Sequence, residues 1–291
     1  MTKRHTWRGA LKLTSWCLAG AALAAFSGTT LPNRADSVKF AVIGDAGTGE
    51  QPQLEIAARM LERRAEVAYD LVLMVGDNFY GAQRPADLEK KFGLPYAALL
   101  NAGVSFRAAL GNHDQAATVN YNPIAMDGRR YYTYVKGNVR FLVLDTNVID
   151  APQLAWAETV LRGAREPWKI AYFHHPLYSN AGRHGSAVDV RVLIEPLLLA
   201  HGVRVVFSGH DHIYERLKPQ KGIDYFVVGS SGQLRRGDLR KSATTAAGFD
   251  QDQVFLLVEI SGDELFFEAV SRQGVVVDSG QIRRVATGPG S

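Results

Sequence analysis

The fold of this chain is constrained most by five short apolar runs. Each of them leads directly into polar residues that can bind metal. The runs begin at residues 39, 71, 106, 169 and 203, and they lead into Gly44-Asp45, Gly76-Asp77, Gly111-Asn112-His113-Asp114, His174-His175 and Gly209-His210-Asp211-His212. Apolar runs of this length with such sharp boundaries predict buried strands. In an open α/β sheet the carboxyl ends of the strands lie at one edge, so we expect these polar side chains to meet there.

The segments around these runs indicate the fold class. Pro52 and Pro152 each open a stretch with apolar residues at helical spacing, which predicts two helices. Residues 131–144 predict a hairpin, and four runs within residues 223–278 predict strands with no helix between them. The pattern predicts an α/β (α+β) chain with an antiparallel extension, in which two sheets pack face to face with helices outside.

The N-terminal segment, residues 1–28, has the pattern of a secretory signal peptide. Four basic residues precede an apolar run from Leu13 to Phe26, and Ala25-Phe26-Ser27 offers a cleavage site of small residues. The run is short for a transmembrane helix, and an uncleaved N-terminal anchor is the alternative. We therefore expect an exported protein, periplasmic or secreted, with no stable membrane anchor after cleavage.

The charge of the remaining chain argues against nucleic-acid binding. Residues 1–28 hold four basic and no acidic side chains, which accounts for the whole net charge of +4. Residues 29–291 are therefore neutral overall, whereas a nucleic-acid-binding domain is expected to be basic. The single cysteine, Cys17, also lies in the N-terminal segment, so we expect no disulfide in the mature protein.

The predicted strand ends carry ligand types that suit two metal ions. Of eight histidines, six lie in or just beyond these loops. Clustering favours a ligand role for His174, His210 and His212, although a lone histidine is more often structural. Two neighbouring ions need one ligand that contacts both, and the two oxygens of Asp77 suit that role.

Three further features of these loops allow more than one interpretation. Asn112 offers a neutral carbonyl oxygen to a metal, but a role in turn formation is the alternative. Asp114 can bind metal, but turn formation or orientation of His113 is the alternative. The basic loop of residues 235–241 can steer anionic substrates, but we interpret it as a solvated loop.

We call the five strand ends and the polar residues that follow them blocks, numbered in chain order. Together they resemble the signature blocks of purple acid phosphatases, in particular the small tartrate-resistant type, which belong to the dinuclear metallophosphoesterase superfamily. The resemblance covers residues 38–278, with the blocks in the same order as in that family. It implies one metallophosphoesterase-like domain, for which we expect residues 36–291. It also implies a four-layer αββα sandwich of two mixed sheets.

The resemblance implies a role for each residue of the site. The ligands implied for a ferric ion are Asp45, Tyr80 and His212. The ligands implied for a divalent ion, Fe²⁺, Zn²⁺ or Mn²⁺, are Asn112, His174 and His210, and Asp77 is implied to bridge the two ions. The histidines implied to contact phosphate and to protonate the leaving group are His113 and His184.

Tyr80 separates this chain from the ordinary phosphodiesterases of the superfamily. In those enzymes the first block has the pattern Asp-x-His, and its histidine binds metal. Gly47 stands in the position of that histidine here. Tyr80 lies three residues after Asp77, and a phenolate is a hard ligand that suits a trivalent ion. Packing of an aromatic ring at a strand end is the alternative interpretation of Tyr80.

These features predict an exported phosphatase that acts on small phosphate monoesters. A metal-bound hydroxide would attack phosphorus in line, and His113 or His184 would protonate the leaving alkoxide. A phosphodiesterase or nucleotide hydrolase built on the same site is the enzymatic alternative. A non-catalytic exported metal-binding protein is the alternative from another class.

Overall fold

The computed structural model describes Met1 and residues 31–284. The predicted signal peptide therefore lies outside the described residues, apart from Met1. The strands are β1 (Val38–Ile43), β2 (Leu71–Met74), β3 (Ser105–Ala108), β4 (Tyr132–Lys136), β5 (Val139–Val143), β6 (Trp168–Tyr172), β7 (Val205–Ser208), β8 (Tyr214–Leu217), β9 (Asp224–Val228), β10 (Thr245–Phe249), β11 (Val254–Ser261), β12 (Glu264–Ser271) and β13 (Val276–Arg283). The α-helices are α1 (Gln51–Val67), α2 (Pro85–Leu88), α3 (Leu94–Asn101), α4 (Ala151–Gly163) and α5 (Val188–Ala200).

The strands form two mixed sheets. The six-stranded sheet has the order β13-β12-β11-β1-β2-β3, in which β1, β2 and β3 are parallel. The seven-stranded sheet has the order β10-β8-β9-β7-β6-β5-β4, in which β5, β6, β7 and β9 are parallel. Each sheet is extended by antiparallel strands, and β4 and β5 form the predicted hairpin.

The two sheets pack face to face through aromatic side chains. The ring of Phe40 on β1 lies 5.5 Å from that of Phe141 and 6.1 Å from that of Phe207, both on the other sheet. Phe226 and Phe267 make a second contact between the sheets at 5.1 Å. Edge-to-face pairs at these distances stabilise a core beyond the area they bury.

Helices cover the outer faces of the sandwich. Buried side chains of α4 and α5 pack against β5, β6, β7 and β9, and those of α1 join the core of the six-stranded sheet. The ring of Tyr96 on α3 lies 5.1 Å from that of Phe106 on β3. The predicted four-layer αββα architecture is confirmed. Among residues 31–284, no helix combines the length and the apolar character that a membrane span requires.

The five predicted strands are present, but they do not belong to one sheet. The strands β1, β2 and β3 lie in the six-stranded sheet, whereas β6 and β7 lie in the seven-stranded sheet. The expectation of one shared edge is therefore wrong, because an apolar run predicts a strand without specifying its neighbours. The strands β8 and β10 were not predicted. In β10 (Thr-Ala-Ala-Gly-Phe) the three central residues are alanine and glycine, which are depleted in strands.

Candidate metal centre

Three residues of the predicted site adopt an unusual backbone conformation at strand ends. The φ angles of Asp45, Asp77 and His210 are 52°, 50° and 70°, in the left-handed region. A residue with a β-carbon pays about 1–3 kcal/mol for such a conformation unless the surrounding structure stabilises it. Each of the three follows a glycine at the point where its strand ends. Backbone strain of this kind concentrates at functional sites.

Asp45, Tyr80 and His212 bring three possible ligand atoms together, and we name this group the Tyr80 triangle. The Tyr80 hydroxyl donates to Asp45 Oδ1 at 3.0 Å and lies 3.2 Å from His212 Nε2. The third side, from His212 Nε2 to Asp45 Oδ1, is 3.4 Å. Asp45 comes from the end of β1 and His212 from the end of β7, so this group spans both sheets.

Asn112, His174 and His210 form a second group, the Asn112 triangle. Asn112 Oδ1 lies 3.0 Å from both His174 Nε2 and His210 Nδ1, and these two nitrogens are 3.2 Å apart. Asn112 follows β3, while the two histidines follow β6 and β7. This group therefore also spans both sheets.

Asp77 contacts both triangles. Its Oδ1 lies 3.4 Å from His174 Nε2 in the Asn112 triangle. On the other side, one ligand atom from each of Asp45, Asp77 and His212 lies within 4.8 Å of the others. The backbone N–H of His113 donates to Asp77 Oδ1 at 2.9 Å. Asp77 therefore lies between the two triangles.

The dimensions of both triangles fit metal ions. Protein ligands lie about 2.0–2.2 Å from ions such as zinc, so two neighbouring ligands of one ion are about 2.8–3.6 Å apart in octahedral or tetrahedral geometry. The sides of the two triangles, 3.0–3.4 Å, fall within that range. The donor types fit as well, because carboxylate, phenol, amide and imidazole groups are metal ligands.

The electrostatics of the site favour bound cations. Burial, and then the neighbouring Asp77, raises the pKa of Asp45 well above its usual value. Burial also raises the pKa of Tyr80, with Asp45 and Asp77 contributing. The anionic forms of Asp45 and Tyr80 are therefore disfavoured unless positive charge is bound beside them.

The histidines of the site are held neutral. Burial lowers the pKa of His210 to about 2 and that of His212 to about 4. Burial likewise lowers the pKa of His174, whose Nδ1–H donates to the carbonyl of Val75 at 3.0 Å. That hydrogen bond fixes the tautomer and leaves the Nε2 lone pair of His174 free inside the Asn112 triangle.

Gly47 explains why no histidine stands in the first block. A β-carbon at Gly47 would lie 1.8 Å from the carbonyl oxygen of Asn78, so no side chain fits at this position. The backbone N–H of Tyr80 donates to the carbonyl of Gly47 at 3.0 Å. The loop that carries Tyr80 therefore packs directly on Gly47. The Tyr80 hydroxyl, rather than a side chain at position 47, completes the triangle.

The two histidines predicted to be catalytic flank the site on different sides. The ring of His113 lies 4.7 Å from that of Tyr80, and its Nε2 lies 3.9 Å from Asp77 Oδ2. The ring of His184 lies 4.3 Å from that of His210. Both line a cavity of about 110 Å³ whose walls are formed by Asp77, Asn112, His113, Arg183, His184, His210, His212 and Arg235.

The cavity includes arginines that the sequence interpretation missed. The interpretation of residues 235–241 as a solvated loop is wrong for Arg235, which lines the cavity with a side chain only 29% exposed. Arg183 lines it as well. The only sequence signal for Arg183 is its position beside His184. Arg235 lies just past Gly229-Ser230-Ser231-Gly232, a turn at the end of β9.

Asp114 joins two of the loops that carry the site. Its carboxylate accepts the backbone N–H groups of Gly111, Asn78 and Phe79 at 2.8, 3.1 and 3.0 Å. All of its hydrogen bonds within the described part of the chain go to these residues, so it does not hold the His113 ring as expected. Asp114 therefore supports the positions of Asp77 and Asn112.

The family model of calcineurin-like phosphoesterases matches residues 38–214. Purple acid phosphatase 4 of Arabidopsis thaliana is 27% identical over 272 residues, covering 80% of this chain and 80% of the relative. Tartrate-resistant acid phosphatase type 5 of Homo sapiens is 24% identical over 300 residues, covering 84% and 91%.

Two solved structures show the same fold. Purple acid phosphatase PPD1 from yellow lupin (Lupinus luteus) seeds has a TM-score of 0.72 at 19% identity, covering 88% of this chain and 55% of that one. The chain thus spans about half of the lupin protein. GAP50, the anchor in the inner membrane complex of Plasmodium, has a TM-score of 0.73 at 19% identity, covering 87% and 90%. Since the family model spans more than half of this sequence and includes all seven strands from β1 to β7, the chain belongs to the calcineurin-like phosphoesterase family.

Proposed function

We propose that this protein is a purple acid phosphatase that hydrolyses phosphate monoesters at a centre of two metal ions. The observation that carries the proposal is the pair of ligand triangles on either side of Asp77. The relatives named purple or tartrate-resistant acid phosphatase support it, since they match along most of this chain.

The proposed ligands differ between the two ions. For a ferric ion they are Asp45, Tyr80 and His212, since carboxylate and phenolate oxygens are hard, anionic donors. For a divalent ion, Fe²⁺, Zn²⁺ or Mn²⁺, they are Asn112, His174 and His210, and Asp77 would be shared by both ions. When bound, the pair of ions would activate water and offset the negative charge that develops on the phosphoryl group.

The remaining side chains of the cavity would orient the substrate and move protons. His113 is half exposed, with its Nε2 3.9 Å from Asp77 Oδ2, so it could donate to a phosphoryl group bound beside Asp77. His184 occupies the equivalent position on the His210 side. We assign protonation of the leaving alkoxide to His113 or His184.

Two alternative functions, one enzymatic and one non-catalytic, use the same residues. A phosphodiesterase or nucleotide hydrolase is the second candidate, and the closed space at Gly47 argues against the Asp-x-His ligand pattern of ordinary phosphodiesterases. A non-catalytic metal-binding protein is the third, but such a protein would have no need of the histidines that line the cavity beside the ligands.

We also propose that the protein is exported, on the basis of the sequence of residues 1–28 alone. The mature chain would be a single domain within residues 36–291, periplasmic or secreted, that acts on small phosphorylated substrates without binding nucleic acid. N-terminal sequencing of the protein from fractionated producing cells tests this proposal. A mature N-terminus near residue 28 is expected, and an intact Met1 in the cytosolic fraction would contradict export.

Turnover of p-nitrophenyl phosphate beside bis-p-nitrophenyl phosphate tests the proposed activity, combined with metal analysis of the same sample. We expect two metal ions per chain, one of them iron, and much faster hydrolysis of the monoester. Faster hydrolysis of the diester would favour a phosphodiesterase. Two bound ions without hydrolysis of either ester would favour the non-catalytic alternative.

A further inference from the structure

Two loops of the seven-stranded sheet bring arginine side chains to the cavity. The arginine loop, residues 229–241, follows β9 and carries Arg235. The His184 loop, residues 179–186, carries Arg183 beside His184. Both arginines line the cavity, and the proposed metal-binding role uses neither of them.

The two loops are paired through their backbones. The N–H of Gly182 donates to the carbonyl of Asp238 at 2.7 Å, and the N–H of Arg240 donates to the carbonyl of Asn180 at 2.9 Å. Such paired backbone bonds form a short antiparallel ribbon. The positions of the two arginines relative to each other are therefore set by the fold rather than by chance loop conformations.

The arginine loop is also bonded to the segments that carry the predicted ligands. The N–H groups of Ser231, Gln233 and Arg235 donate to the carbonyls of Gly44, Asp45 and His212 at 3.1, 3.0 and 3.0 Å, respectively. The backbone of Arg235 is thus directly bonded to a residue of the Tyr80 triangle. A solvated surface loop would not make this series of bonds.

The guanidinium of Arg235 has unused hydrogen-bonding capacity inside the protein. Its Nη1 is buried and has no hydrogen-bond partner among the described residues. The neighbouring carboxylate oxygen, Asp238 Oδ2, lies 3.8 Å away, beyond hydrogen-bonding distance. A buried donor without a partner is costly, and Arg235 also lines the cavity, so its guanidinium suits an anionic ligand there.

The two arginines bring positive charge to the cavity beside the proposed metal centre. Arg183 and Arg235 add two positive charges, of which Asp238 offsets one, so one positive charge is available to a second anionic group.

We propose that Arg235 and Arg183 form a second anion site, which selects phosphate monoesters whose leaving group carries another phosphoryl group. This inference rests on the proposed function. The cavity of about 110 Å³ has room for only a few water-sized groups, so the leaving group must extend past its rim. Arg183 is exposed at that rim, and Arg235 lies deeper.

A matched pair of substrates tests the second anion site. Propane-1,3-diol bisphosphate and propyl phosphate release similar alkoxides, but only the first carries a second phosphoryl group. We expect the wild-type protein to prefer the bisphosphate in kcat/KM by at least about tenfold, the usual value of one charge-assisted hydrogen bond. Arg235→Gln should reduce that preference by about tenfold, mainly through KM, and Arg183→Gln, at the exposed rim, by about threefold.

Arg236→Gln is the matched control. Arg236 belongs to the same loop and carries the same charge, but its side chain is exposed and does not line the cavity. Its substitution should leave the preference for the bisphosphate unchanged. Arg235→Lys should recover part of the preference because it restores the charge without the planar guanidinium. Melting curves of each variant separate loss of binding from loss of folding, and Arg183→Gln provides the test if Arg235→Gln does not fold.

Several results would overturn the second anion site. These are a wild-type protein without preference for the bisphosphate, equal losses on both substrates in Arg235→Gln, or an equal loss in Arg236→Gln. Calorimetric binding of propane-1,3-diphosphonate and propylphosphonate repeats the test without turnover. If the protein hydrolyses neither ester but still binds the diphosphonate at least about tenfold more tightly, the anion site stands and the proposed function fails.

Discussion

The Tyr80 triangle and the Asn112 triangle have nearly the same size but different chemistry. The sides measure 3.0–3.4 Å in the first and 3.0–3.2 Å in the second. The Tyr80 triangle offers a carboxylate, a phenol and an imidazole, whereas the Asn112 triangle offers a neutral amide and two imidazoles. Two sites of equal size that differ by up to two negative charges suit ions of different charge.

The comparison also shows how the fold builds the site. Each triangle takes oxygen donors from the six-stranded sheet and imidazole donors from the seven-stranded sheet. Bound ions would therefore link the two sheets at this end of the sandwich. The two histidines proposed to be catalytic lie beside different triangles, since His113 lies beside Tyr80 and His184 beside His210.

Asp77→Asn should have the largest effect, because Asp77 is the ligand that the two triangles are proposed to share. We expect loss of at least one ion and a fall in kcat of at least about 10³-fold, the equivalent of about 4 kcal/mol of transition-state stabilisation. Metal analysis and turnover of p-nitrophenyl phosphate measure both effects, and circular dichroism checks the fold. Full metal content with near-normal turnover would show that Asp77 does not bridge.

His113→Ala should have the next largest effect and should show on which side the leaving group departs. For an alkyl phosphate we expect a fall of about 10²-fold without loss of metal, and a fall below about tenfold for p-nitrophenyl phosphate, which needs less protonation. A larger loss in His184→Ala would place the leaving group on the Asn112 side instead.

His201→Ala is the matched control for both histidine variants. His201 lies at the carboxyl end of α5, outside the residues that line the cavity. Its substitution should leave both rates unchanged. Equal losses for alkyl and aryl phosphates in His113→Ala would rule out the assignment of His113 as the acid.

Asn112→Asp should have the smallest effect, because it adds one negative charge to the neutral triangle without removing a donor. Repulsion of an anionic substrate at about 4 Å amounts to about 1–4 kcal/mol. We therefore expect kcat/KM to fall about tenfold while two ions remain bound. Asn101→Asp, an exposed position at the end of α3, is the control for net charge. An unchanged rate in Asn112→Asp would mean that the charge difference between the triangles has no influence on substrate binding.

The sequence predicted the architecture and grouped the polar residues of this site because both depend on short-range patterns. Apolar runs ended by glycine and a polar residue mark strands, and Asp45, Asp77 and His210 appear directly after such runs. The structure brings the seven predicted ligand side chains together, although their binding of metal remains a prediction.

Features that depend on distant parts of the chain could not be predicted in this way. The division of the five strands between two sheets depends on strand pairing, for example of β1 with β11. The closed space at Gly47 arises from the carbonyl of Asn78, and the position of Arg235 from its bond to His212. A charged loop looks the same in sequence whether it faces solvent or a cavity.

The visible spectrum of the iron-loaded protein tests the difference between the two triangles most directly. A tyrosinate bound to a ferric ion absorbs visible light by charge transfer, so the wild-type protein should be pink to purple. Tyr80→Phe keeps the ring but removes the donor oxygen, so its colour should disappear while the fold and some activity remain. Tyr131→Phe, away from the cavity, should keep the colour. A colourless iron-loaded wild type, or an unchanged band in Tyr80→Phe, would show that the Tyr80 triangle does not hold a ferric ion.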